Sequence, residues 1–166
     1  MRMMHPHTGC PRPATEAESR HAGFTLLEVL IVAMLIGTLS AIAIPIYIEA
    51  LNAARAVRAR GDIKNISTTI DVLHLTTGQY PDSLADVGLA DLRDPWGHPY
   101  EYLKIEGLKS KGQVRKDKNL VPINSDYDLY SMGRDGKSAS PLTAQASRDD
   151  IVRGNNGGFI GLAADY

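Results

Sequence analysis

The chain is short of the residues that most chemistry needs. It has one cysteine, Cys10, so no internal disulfide can staple any part of its 166 residues. Its five histidines are His5, His7, His21, His74 and His98, three of them within the first 21 positions. There is no His-Glu-x-x-His, no Gly-x-Ser-x-Gly and no phosphate-binding loop, so an enzyme is not expected. The formal net charge of -1 exerts no general pull toward nucleic acid, and the only tryptophan is Trp96.

What the chain has instead is one long apolar run. The twenty residues from Val29 to Ile48 carry no charge. At ~1.5 Å per residue, a helix of that length crosses the ~30 Å hydrocarbon core of a bilayer. Glu28 stands inside the apolar block that begins at Phe24, where a carboxylate costs roughly 2.5 to 3.5 kcal/mol at a membrane centre and less near the interface. Its presence asks for a function, although a carboxylate resting at headgroup level would be a plainer account. Ala41-Ile42-Ala43 offers a small-residue site for a conventional secretory signal, but the run stays apolar beyond it. Charge does not orient the segment: Arg2, Arg12 and Arg20 precede it, and Arg55, Arg58, Arg60 and Lys64 follow it.

Beyond Ile48 the pattern becomes amphipathic. Ile63, Ile66, Ile70, Leu73 and Thr77 step by three and four, with Asp62, Lys64, Asn65, Thr68 and Asp71 on the other faces. One helix is therefore expected from Phe24 to about Thr77, with a kink or local melting at Pro45 and a stop at Gly78 before Tyr80-Pro81. His74, beside the apolar stripe, has no ligand partner in view and reads as packed or solvated. Asp82 or Ser83 is expected to cap a short helix from Leu84 to Val87. Asp94-Pro95-Trp96-Gly97-His98-Pro99-Tyr100 is a rigid turn with Trp96 as its apolar anchor. Strands are expected after Pro99, near Val121 to Ile123, and from Tyr127 to Met132, giving a three-stranded antiparallel sheet on the amphipathic helix. Lys104, Lys109, Lys111, Arg115, Lys116 and Lys118 read as a solvated basic loop; without interleaved aromatics, no nucleic acid partner is expected.

Gly23-Phe24-Thr25-Leu26-Leu27-Glu28 followed by an apolar helix resembles the type IV pilin and pseudopilin superfamily, position by position. The resemblance implies an α+β, type IV pilin-like fold: a long N-terminal helix, membrane-spanning in its first half, packed on a small antiparallel β-sheet with a C-terminal loop region. It implies a leader over 1–23, a transmembrane and filament-core helix over 24–50, an amphipathic extension over 51–78 and a globular periplasmic domain over 79–166. Prepilin peptidase would cut between Gly23 and Phe24 and N-methylate Phe24, and Glu28 would pair with the N-terminal ammonium of a neighbouring subunit. The mature chain would then hold no cysteine and only His74 and His98. Residues 1–23, with Pro6, Pro11 and Pro13, read as a disordered leader longer than is usual in the family.

The Asp-Pro-Trp-Gly-x-Pro-Tyr segment at Asp94 to Tyr100 narrows the resemblance to the major pseudopilins of type II secretion. That implies a structural filament subunit in the bacterial inner membrane with its C-terminal domain in the periplasm. Its partners would be copies of itself, minor pseudopilins, the prepilin peptidase, the inner-membrane assembly platform and membrane lipid. A type IV pilus pilin for adhesion, motility or DNA uptake is the alternative, and a monomeric membrane-anchored binding domain a further one. On residues alone, Asp135 and the Asp149-Asp150 pair are either turn aspartates or oxygen donors for a hard cation. The resemblance implies calcium held by Asp135, Asp149 and Asp150 with the carbonyls of Met132 and Ser147. The segment from Lys137 to Arg148 and the tail from Val152 to Tyr166 both exceed the family pattern.

Overall fold

The structure of the chain, a computed structural model, describes residues 23–108 and 112–166. The leader before Gly23 and the middle of the basic loop lie outside the described residues. One helix, α1, runs from Leu26 to Thr77 and continues through Pro45. Thr25 opens it: the Thr25 hydroxyl accepts the Glu28 amide at 3.2 Å and the Thr25 carbonyl accepts that of Val29 at 3.2 Å, so Thr25 caps the helix. Gly78 closes it at φ +77, donating its N–H to the His74 carbonyl at 2.7 Å. The chain divides into two units between Ile42 and Ala43.

In the first unit the apolar side chains of α1 have no cover. Phe24 is 82 % exposed, Leu26 85 % and Leu39 68 %, a surface that water does not tolerate on a stable soluble chain. In the second unit one stripe of α1 is buried, with Ala59, Ile63, Ile66 and Ile70 at 2 % exposure or less. At roughly 1.5 to 3 kcal/mol per fully buried aliphatic side chain, this stripe fixes the helix to the rest of its unit. The apolar spacing of the sequence is met as far as Ile70; Leu73 is only half-buried and Thr77 is exposed.

The stripe packs on an antiparallel sheet of four strands rather than three. They are β1 (Tyr100–Lys104), β2 (Tyr127–Ser131), β3 (Ile151–Gly154) and β4 (Phe159–Leu162), hydrogen-bonded in that order. Tyr100 pairs with Ser131 and Lys104 with Tyr127; Ser131 pairs with Ile151, and Ile151 with Leu162. The expected strand near Val121 to Ile123 is irregular chain, because Pro122 has no N–H for a ladder and only Ile123 bonds back, to the Arg115 carbonyl at 3.1 Å. The Gly/Asn-rich tail supplies the missing strands: Asn155 and Asn156 take φ near +50, which few residues other than asparagine and glycine accept, and reverse β3 into β4.

Tyr127 and Leu129 of β2 meet α1 together with Tyr100 and Ile151. The opposite face of the sheet carries a second core of Ile123, Leu142, Val152 and Ala163, edged by Tyr130, Phe159 and Tyr166. The short 3-10 helix Leu84–Val87 forms where expected with Ser83 as its N-cap, and Asp86 Oδ2 reaches back to accept the amides of Asp82 and Ser83 at 3.0 and 2.9 Å. His74 stacks on Tyr80 at 3.9 Å between ring centres, which makes it a packing residue.

Candidate functional site

Two places carry the residues singled out by the sequence. The first is the start of α1, where Gly23 and Phe24 are exposed and Glu28 sits in the first helical turn with its side chain in the open. A carboxylate there complements the positive end of the helix, so its position is favourable before any partner arrives.

The second is the loop that leaves β2 at Ser131 and returns at β3. Asp149 Oδ2 accepts the amides of Arg134 at 2.9 Å and Asp135 at 3.1 Å, tying the end of the loop to its beginning. Gly133 has φ +64, and a Cβ there would run into the Asp149 carbonyl oxygen and lie 2.9 Å from Oδ2, so only glycine fits. Asp135 Oδ1 accepts the Lys137 amide at 2.8 Å. Ser147 is buried, and its hydroxyl both accepts the Ala139 amide at 2.9 Å and donates to the Ala139 carbonyl at 2.8 Å. Its carbonyl accepts the Asp150 amide at 3.2 Å.

Asp150 is turned inward and fully buried. Its Oδ2 accepts Arg115 Nη2 at 2.6 Å and the Ser138 hydroxyl at 2.6 Å, while Oδ1 is buried without a partner. Burial pushes the Asp150 carboxyl up to about 6, against the opposing pull of Ser138 and Arg115. Asp135 and Asp149 thus lie at the mouth of the loop and Asp150 beneath it. Among the described residues, no three histidine, cysteine, aspartate or glutamate side chains are gathered in one metal-binding group.

Sequence reasoning missed Arg115. Counted with a solvated basic loop, it is 3 % exposed, lies 4.3 Å over the Tyr130 ring and donates to the Ala139 carbonyl at 2.7 Å. Its backbone amide donates to Asp128 Oδ2 at 2.6 Å, and Asp128 is itself buried. The available signal was Val114 beside it, an apolar residue in a basic run, which is fully buried. The Asp94 turn is the other supporting element. Asp94 Oδ1 accepts the amides of Trp96 and His98 at 3.0 and 2.8 Å, and the Ser131 hydroxyl donates to its Oδ2.

The comparisons with known proteins bear on the first place and on the chain as a whole. Residues 19–44 match the prokaryotic N-terminal methylation motif. The chain is 30 % identical over 141 residues to type II secretion system core protein G of Pseudomonas aeruginosa, covering 71 % of this chain and 87 % of the relative. It is 28 % identical over 142 residues to the core protein G of Aeromonas hydrophila, covering 73 % and 88 %. It is also 34 % identical over 133 residues to the type IV major pilin protein PilA of Myxococcus xanthus, covering 76 % of this chain but 58 % of that protein. No solved structure matches.

Proposed function

The chain belongs to the family of type II secretion system core protein G, and we infer from that premise how it works. It is a major pseudopilin, a structural subunit of the filament of a type II protein secretion system, and its work is assembly. The observation that carries this reading is the uncovered apolar half of α1 behind a matched methylation motif. Side chains exposed to that degree require a bilayer or the equivalent helices of other copies. Prepilin peptidase cuts after Gly23 and methylates Phe24. The helix then anchors the subunit in the bacterial inner membrane with residues 79–166 in the periplasm. There it joins minor pseudopilins and the assembly platform in driving folded proteins outward. The exposed Glu28 carboxylate pairs with the Phe24 ammonium of a neighbouring subunit and sets the register. The test is mass spectrometry of the mature N-terminus together with Glu28→Ala. N-methylated Phe24 and a variant that inserts in the membrane but forms no filaments are expected; a mature chain starting near Ala43, or normal filaments from the variant, would overturn it.

Calcium at the C-terminal loop is part of the same reading. Hard cations take carboxylate and carbonyl oxygens, six to eight of them. Asp150 offers a buried, unpartnered Oδ1, and Gly133 lets the start of the loop lie directly against the carbonyl oxygen and Oδ2 of Asp149. The unpartnered Oδ1 is the feature that supports the ion, although Asp150 is also paired with Arg115 and the three carboxylates are not gathered in one group. Asp135, Asp149 and Asp150 would hold it, with the carbonyls of Met132 and Ser147 completing a shell that the carboxylates do not fill; the Ser147 carbonyl keeps a second lone pair. Bound calcium would supply charge neutralisation to a loop that has no disulfide. At a hundredfold excess over Kd it stabilises the chain by about 2.7 kcal/mol. Chelation is expected to lower the melting temperature of the full chain in detergent. Asp135→Asn with Asp149→Asn, which keeps the acceptors and removes the charges, is expected to melt alike with and without chelator. An unchanged wild-type melting temperature on chelation would remove the ion.

A further inference from the structure

The Asp94 turn and the C-terminal loop are joined by a closed ring of hydrogen bonds whose long-range pairs lie 35 and 37 residues apart in sequence. Asp94 Oδ2 accepts the Ser131 hydroxyl, and Ser131 Oγ accepts the Gly133 amide at 3.1 Å. His98 Nδ1 lies 3.1 Å from the Gly133 carbonyl, which can only accept, so Nδ1 carries the proton. The His98 amide returns to Asp94 Oδ1 at 2.8 Å. The carbonyl of Gly133 is therefore held by His98 of the Asp94 turn and its amide by Ser131 at the end of β2, itself bonded to Asp94, while its Cα faces the carbonyl oxygen and Oδ2 of Asp149. The His98 ring also bears on Gly136: a Cβ there would lie 2.7 Å from Nε2, and φ is +66. One imidazole touches both glycines of Gly133-Arg134-Asp135-Gly136, and Asp94 and Ser131 behind it are buried.

We propose that the Asp94–Tyr100 turn sets the position of the C-terminal loop, and that His98 is the positioning residue that transmits it through Gly133 and Gly136. The turn is rigid in its own right, with Asp94 accepting three donors and its amide bonded to the His98 carbonyl at 2.8 Å. A mobile strap of the length of 132–150 would present Asp135 and Asp149 at varying separations; held at Gly133 it presents them at one. The effect on calcium rests on the cation reading above, whereas the ordering of the loop does not.

The experiment compares wild type, His98→Ala, His98→Asn and His98→Gln as full chains in detergent. The readouts are calcium titration and tryptic cleavage after the exposed Lys137 and Arg148, the latter with chelator present throughout. Asparagine places an N–H where Nδ1 stands, whereas glutamine places it one methylene further out. Loss of one such hydrogen bond is expected to speed loop cleavage and weaken calcium binding by about fivefold to tenfold in the Ala and Gln variants. The Asn variant is expected to fall near wild type. The Asn and Gln pair decides the matter even if the Ala variant does not fold. Equal cleavage of all variants, or an Asn variant no better protected than Gln, would overturn the proposal. If wild type binds no calcium but the cleavage order holds, the cation reading fails and the positioning role stands.

Discussion

The two faces of β2 are both covered, but by different chemistry. Tyr127 and Leu129 meet the aliphatic stripe of α1. Asp128 and Tyr130, pointing the other way, are covered by Arg115, whose amide bonds Asp128 and whose guanidinium lies on the Tyr130 ring. On the helix side the aliphatic contacts are interchangeable, because apolar packing has no direction and a neighbour of the right volume serves, while the rim of that face is directed: Tyr127 donates its hydroxyl to Asp71 at 3.2 Å and lies under Arg153 at 3.9 Å. On the outer side each group depends on a named partner: Arg115 on Asp150, Ser138 and Ala139, and Asp128 on Asn124 at 2.9 Å. The first kind of cover degrades gradually under substitution, and the second fails when one member is removed.

That contrast can be broken most directly at the buried pair. Arg115→Leu or Asp150→Leu alone leaves a charge buried without its partner and is expected to cost about 3 to 5 kcal/mol. The double variant is expected to recover most of that loss, read as a strongly non-additive double-mutant cycle in thermal unfolding. Additive losses would mean that the outer face is held by packing, as the inner one is. The helix side is tested by Ile66→Ala, expected to cost about 2 to 5 kcal/mol, and Ile66→Val, about 0.5 to 1.5 kcal/mol, a graded series that the outer face would not give.

A smaller effect separates the faces by pH. Burial raises the Asp150 carboxyl to about 6 and also raises that of Asp128, both on the outer face. Between an ordinary carboxylate value near 4 and about 6, the folded chain binds more protons than the unfolded one. Stability is therefore expected to increase as pH falls through this window, by no more than ~3 kcal/mol from Asp150. Melting temperatures at pH 7.5 and 5 should show the rise in wild type and a reduced rise in Asp150→Asn. A fall in wild type over that range would mean that the ion pair with Arg115 outweighs burial.

The same division decided what the sequence disclosed. Ile63, Ile66 and Ile70 announce themselves by spacing, Gly78 by its place at the end of the stripe, and the Asp94 turn by two prolines and a glycine. The α+β fold, with a long helix on an antiparallel sheet, follows from these local signals. Arg115 left no such mark, since a basic residue among lysines reads as solvated until its partner, 35 positions later, is placed beside it. The count of three strands fell short because β3 and β4 lie in a tail judged by its glycines and asparagines. Asn-Asn-Gly between Ile151-Val152 and Phe159-Ile160 is in fact a hairpin signature. At the candidate site, the sequence located Asp135, Asp149 and Asp150 but could not tell that the third lies buried on a guanidinium while the other two stay at the surface of the loop.

The bare first half of α1 has a consequence for what drives a subunit to move. A segment with no cover within its own chain behaves as a solute, and lipid tails and the helices of other copies are two solvents of nearly equal polarity for it. Transfer from one to the other leaves its contact with water unchanged, so the apolar surface confines α1 to these two phases without favouring either. Any preference between the two has to come from groups other than the apolar side chains, and between Phe24 and Ile48 the sequence has one charged side chain, Glu28.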